Sequence, residues 1–149
     1  VQASPFDEKD ASMKRLAILA LFALVANAGA AETLLGKGSF HGGNYAPADT
    51  ASGSVSLVKL ENGSYELRLG DDFSTTPGPD LFVYLSASAD PANGDAITGN
   101  DYIDAGKLAS PTGSQKLSLP SNFNPAKFKS IAIWCKQFSI LFGAAALSK

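Results

Sequence analysis

The chain is poor in the residues that most metal and redox chemistry needs. Of its 149 residues, one is Cys, one His, one Met and one Trp. A single Cys excludes an internal disulfide, a four-cysteine zinc site and any iron–sulfur cluster held by this chain alone. A single His excludes copper sites that need two. Charge is scarce too, at 17% of residues, and 12 basic against 14 acidic side chains leave a net −2. No basic field exists to hold nucleic acid. What remains is 45% hydrophobic and punctuated by 14 Gly and 8 Pro. That is too apolar for a disordered chain and too broken for a helical bundle. The length fits one domain of roughly 100–200 residues.

From Met13 the sequence has three parts in order. Met13-Lys14-Arg15 is basic, Leu16 to Val25 is apolar, and Ala26-Asn27-Ala28-Gly29-Ala30-Ala31 is small. This is the order of a secretory signal peptide, expected over 13–31, and it implies a secreted or periplasmic protein. The apolar run is shorter than the roughly 20 residues that cross a bilayer, so no membrane span is expected after processing. Residues 1–12, with Asp7, Glu8, Lys9 and Asp10, read as a leader from a start taken too early. Residues 32–149 then form the domain.

That domain reads as strands. Val55, Leu57, Tyr65, Leu67 and Leu69 alternate with polar residues on either side of Asn62-Gly63. Asn-Gly tolerates the positive φ angles of a type I′ turn, so a hairpin is expected there. Leu81-Phe82-Val83-Tyr84-Leu85 is apolar on both faces, as in a central strand covered on both sides. Lys116 to Leu119 alternates until Pro120, and Ile131–Cys135 and Phe138–Phe142 are two more runs joined by Lys136-Gln137. Loop clusters fall at Thr75–Pro79, Asp90–Gly94 and Ser110–Ser114. No stretch after the leader keeps helical periodicity for ten residues. The expected fold is all-β, a single antiparallel β-sandwich or barrel-like domain. Leu57, Leu67, Leu69, Leu81, Val83, Ile131, Ile133 and Phe142 are its expected core.

Most searches for chemistry fail. Gly36-Lys37-Gly38-Ser39-Phe40-His41-Gly42-Gly43 lacks the Lys-Ser/Thr end of a phosphate loop and reads as a flexible entry to the first strand. Gly-x-Ser-x-Gly does not occur, and His41, a base for Ser39 only in principle, reads as a solvated loop residue. Asp71, Asp72, Asp90 and Asp95 do not have the spacing of an EF-hand and read as turn residues. No metal site is expected.

Cys135 is the candidate that survives. Alternation puts Ile131, Ile133 and Cys135 on one face of their strand, and Ala132, Trp134 and Lys136 on the other. A strand end is partly open and an ammonium nearby favours the thiolate, so a reactive thiol is expected on one reading. On the other, Cys135 is an inert core residue, as free Cys commonly is.

The segment Ile133-Trp134-Cys135-Lys136-Gln137-Phe138-Ser139-Ile140-Leu141-Phe142-Gly143-Ala144 resembles the signature of the DM-thirteen domain, catalogued as an electron-transfer domain. Two further blocks are similar to it. One is Asp72-Phe73 with Pro77-Gly78-Pro79-Asp80-Leu81-Phe82-Val83-Tyr84-Leu85-Ser86; the other is Gly38-Ser39-Phe40 with Ser52-Gly53-Ser54-Val55. The resemblance runs from about Gly36 to Leu147. It implies an extracellular or periplasmic β-rich module of a kind found beside haem-binding DOMON and hydroxylase-like domains. It also implies that Cys135 matches the family's recurrent Cys, proposed there to act as a bare thiol or a haem ligand. Many members carry a His four residues before the Gly that matches Gly53; here Asp49 stands there.

Two functions follow from this reading. The first is an exported redox or electron-transfer accessory module acting through Cys135, with a redox partner or cell-surface protein and with haem as the cofactor to test. The second is a non-catalytic extracellular β-sandwich binding or adhesion module whose Cys is structural. An autonomous enzyme is not expected, because no general base, metal cage or cofactor fingerprint is present.

Overall fold

A computed structural model describes residues 31–43 and 50–149. The expected leader and signal segment, up to residue 30, and Asp49 lie outside the described residues. Eleven strands and one short helix make up the described fold. They are β1 (Thr33–Ser39), β2 (His41–Gly42), β3 (Ala51–Ser52), β4 (Ser54–Lys59), β5 (Tyr65–Leu69) and β6 (Ser74–Thr75). Then come β7 (Leu81–Ser86), α1 (Gly94–Thr98), β8 (Tyr102–Lys107), β9 (Gln115–Ser118), β10 (Ser130–Cys135) and β11 (Ile140–Ala146).

Every strand pairing among the described residues is antiparallel. One sheet runs β1-β4-β5-β9, a second runs β2-β11-β10-β7-β8, and β3 and β6 form a small ribbon. The sheets do not close, so the fold is a sandwich and not a barrel. Period-two alternation builds its core. Val55, Leu57, Leu67, Leu69 and Leu117 of the first sheet meet Leu81, Val83, Leu85, Ile131, Ile133 and Phe142 of the second in one buried cluster. All eight expected core residues belong to it.

The central run Leu81–Leu85 lies in β7, between β10 and β8, as its apolar character on both faces requires. The second cover comes from α1. Its Ile97, fully buried, packs with Tyr84, Ala132, Trp134, Leu141 and Ala144 on the outer face of the second sheet. Asn93 caps this helix by accepting a 3.0 Å hydrogen bond from the Ala96 N–H. Five residues are too few to show a period in the sequence, so the helix was not expected.

Three local expectations are corrected. The Asn62-Gly63 hairpin forms, but its loop is Glu61-Asn62-Gly63 closed by a 2.8 Å bond from the Leu60 N–H to the Ser64 carbonyl. Only Gly63 takes a positive φ, at 85°, so the turn is not type I′. The Asn62 carboxamide oxygen instead accepts from both the N–H and the hydroxyl of Ser64, holding a longer turn. Gly36 to Ser39 belongs to β1 and not to a flexible entry, because β4 on one side and Ser148 on the other take its backbone bonds. Phe138 lies in the turn before β11 and is 59% exposed. Ser139, with φ of 53°, ends that turn, and pairing resumes only at Ile140.

Candidate functional site

Cys135 is the last residue of β10, and the expected faces are correct. Ile131, Ile133 and Cys135 face the main core, while Ala132 and Trp134 face the layer under α1. The expected openness of the strand end is not found. Cys135 has no exposed surface, because its strand is paired on both sides, to Leu81 of β7 and Ile140 of β11. The chain also stays tied past the strand end, where the Lys136 N–H donates to the Asp80 carbonyl at 3.0 Å.

The Lys136 ammonium does not serve the thiol either. It lies on the outer side, 2.6 Å from Asp104 Oδ2 and 3.7 Å above the centre of the Phe82 ring. The bond to Asp104 holds the ammonium above its usual range. Lys136 thus belongs to a surface cluster of Phe82, Asp104, Tyr84 and Tyr102. Burial raises the phenol of Tyr84, opposed by the Lys136 charge.

The remaining motif residues meet in space. Gly53 has a φ of 98°, and a side chain there would collide with the Asp72 carbonyl. The Asp72 carboxylate accepts from the Ser54 N–H at 2.9 Å and its hydroxyl at 2.7 Å. Beside them the Phe40 and Phe73 rings meet edge to face, 5.4 Å apart. Gly78 packs against Leu81 and Phe142, which belong to the same core cluster as Cys135. The blocks that are far apart in sequence therefore make one buried scaffold around a shared core.

A family model described as Electron transfer DM13 matches residues 44–147. The chain belongs to this family. No curated protein and no solved structure matches it. The match takes in Gly53, Asp72 to Ser86 and the Trp134-Cys135 segment, while Gly38-Ser39-Phe40 precedes it.

Haem is a poor fit to Cys135 in this DM13 domain. A cleft lined by Leu81, the strand partner of Cys135, with Pro77, Gly78, Pro79, Lys107 and Leu108 has a volume near 140 Å³. Ligand pockets run to roughly 300–1,000 Å³. A larger groove of about 650 Å³ lies elsewhere, between β1, β4, β5 and the last residues, lined by Lys37, Ser54 and Arg68 among others. Its arginine is already taken, bidentate to Glu32 at 2.8 Å and bonded to Glu66 at 2.7 Å.

His41 sits on β2 and is not a loose loop residue. Its Nε2 lies 2.6 Å from Asp90 Oδ1 and its Nδ1 lies 2.9 Å from the Gly42 carbonyl. Those two acceptors raise its pKa, the carbonyl first. With both nitrogens so engaged it is no base for Ser39. The aspartates do not converge, since Asp72 binds Ser54, Asp90 binds His41 and Asp95 opens α1. Among the described residues no three of His, Cys, Asp and Glu group as metal ligands.

The sequence reading missed the aromatic stack on the outer face. Tyr102 lies on Tyr84 with centroids 5.1 Å apart, and Tyr84 lies on Trp134 at 5.9 Å. Its signal was present in part, because alternation put Trp134 outside, and Tyr84 occupies the same face of β7. The register that brings Tyr102 of β8 beside them was not legible.

Proposed function

We propose that this DM13 domain is an exported accessory module that exchanges electrons with a redox partner protein, with Cys135 as its thiol. The observation that carries this reading is the family match across the Trp134-Cys135 segment. Export rests on the basic, apolar and small-residue order of 13–31. Burial narrows the chemistry. A thiolate must touch the sulfur it attacks, so the closed fold does not support thiol–disulfide exchange. Among the described residues no helix is long and apolar enough to cross a membrane.

The second reading is a β-sandwich binding module in which Cys135 is structural. The absence of any exposed surface on Cys135 favours it. The two readings separate in one pair of measurements on the purified protein. Thiol labelling is followed across pH with and without denaturant, and voltammetry compares the protein with Cys135→Ala. A redox wave that disappears in the variant supports the electron-transfer role of the thiol. An unchanged response, with labelling only in denaturant, assigns Cys135 to the core and the protein to the binding class.

A further inference from the structure

A buried thiol leaves open how electrons would enter this domain, and the outer face of the second sheet supplies an answer that rests on the electron-transfer reading but not on Cys135. Three oxidisable rings lie there in sequence. Tyr102, 45% exposed, is stacked on Tyr84, 6% exposed, with their planes 10° apart. Tyr84 is stacked on Trp134, 5% exposed, at 24°. The three come from adjacent strands, β8, β7 and β10, so the ladder runs across the sheet from its edge to its middle. At the inner end Ile97 and Leu141 share a buried cluster with the indole, and Gly94 lies against its outer edge. A methyl group at Gly94 would sit 3.0 Å from the Trp134 ring.

We propose that Tyr102, Tyr84 and Trp134 form a relay for single electrons, with Tyr102 the contact for an electron donor and Trp134 the point of oxidation. Electron tunnelling falls off exponentially with distance, so stacked rings outrun any path through the surrounding aliphatic residues. Phenol and indole are also the side chains, apart from the thiol, that one-electron oxidants of high potential attack. The oxidant is of that class, an oxygen-centred radical or a high-valent metal centre of a partner, approaching over Gly94.

The steps balance. Trp134 gives one electron to the oxidant and its indole proton to solvent, leaving a tryptophanyl radical. Tyr84 gives that radical one electron, its phenolic proton leaves, and the indole nitrogen regains a proton. Tyr102 restores Tyr84 in the same way. The tyrosyl radical at the surface then takes one electron and one proton from a donor such as ascorbate. The net change is one electron and one proton taken from the donor, with the electron delivered to the oxidant, the proton to solvent and all three rings restored.

Trp134 is the chain's only Trp, which makes the test direct. The purified protein is excited in its indole band with hexaamminecobalt(III) as an irreversible electron acceptor, and transient absorption follows the two radicals. In the unaltered protein the tyrosyl band is expected to grow as the tryptophanyl band decays. Tyr84→Phe keeps the ring stack but removes the oxidisable group, so the decay slows by an order of magnitude and the matching growth is lost. Tyr102→Phe leaves the tyrosyl radical on Tyr84, where its reduction by ascorbate slows by an order of magnitude. Circular dichroism checks that both variants keep the fold. Equal decay in Tyr84→Phe overturns the relay, as does tyrosyl growth that survives Tyr84→Phe combined with Tyr102→Phe, which would come from Tyr45 or Tyr65. Intact radical transfer without a thiol wave overturns the Cys135 assignment alone, and a thiol wave without radical transfer overturns the relay alone.

Discussion

The Asp72 carboxylate takes both the N–H and the hydroxyl of Ser54, at 2.9 and 2.7 Å, and so pins the chain just after Gly53. Gly53 itself lies against the Asp72 backbone at a φ of 98°. Replacing Gly53 with Ala adds left-handed strain and a collision with backbone that cannot turn aside. The expected loss is roughly 2–4 kcal/mol of stability, read from chemical denaturation. A loss near zero would show that β3 and β4 shift without cost.

The same pair sets an acid limit. Hydrogen bonds from Ser54 hold the Asp72 carboxyl below its ordinary 3.8. A depressed folded pKa contributes stability that is fully present above the unfolded value and is lost as pH falls through the folded one. Wild type is therefore expected to lose stability more steeply than Asp72→Asn once pH drops below about 3.8. Parallel acid-unfolding curves for the two proteins would refute this.

His41 acts in the opposite sense. Gly42 and Asp90 raise its folded pKa above 6.5, so its contribution is complete below 6.5 and fades as pH rises through the folded value. As the chain's only His, it gives one imidazole titration by NMR, expected to be centred above 6.5. Asp90→Asn should move that midpoint down. A midpoint that stays put would mean that the Gly42 carbonyl alone sets it.

Val83 is fully buried in the central strand and Phe138 is 59% exposed in a turn. Val83→Ala is expected to leave a cavity costing about 1–3 kcal/mol, while Phe138→Ala stays within about 0.5 kcal/mol. Equal effects would mean that the Leu81–Leu85 strand is not the centre of the fold.

The Cys135 thiol, sealed among Leu81, Ile133 and Phe142, is expected to resist labelling until denaturant is added. Cys135→Ser puts a hydroxyl into that apolar surround and should cost roughly 1–3 kcal/mol when it finds no partner. Labelling of the native protein at the rate of a free thiol would show that the Leu81 end of the sandwich opens readily.

Alternation alone determined much of this protein. It assigned the inward faces of β4, β5, β7 and β10, and with them seven of the eight core residues, because a side-chain period of two leaves little choice about which residues can be buried together. It also placed Cys135 and Trp134 on opposite faces of one strand. What it did not determine was exposure at the strand end. Period fixes direction, whereas exposure depends on which strands pair alongside, and β7, which sets Leu81 beside Cys135, comes from a distant part of the chain. The partners of Lys136 and His41, Asp104 and Asp90, were hidden for the same reason, lying 32 and 49 residues away in sequence. The Tyr102–Tyr84–Trp134 stack needed the registers of three strands at once. Local sequence chose which groups could face inward or outward; only long-range strand pairing decided which of them met.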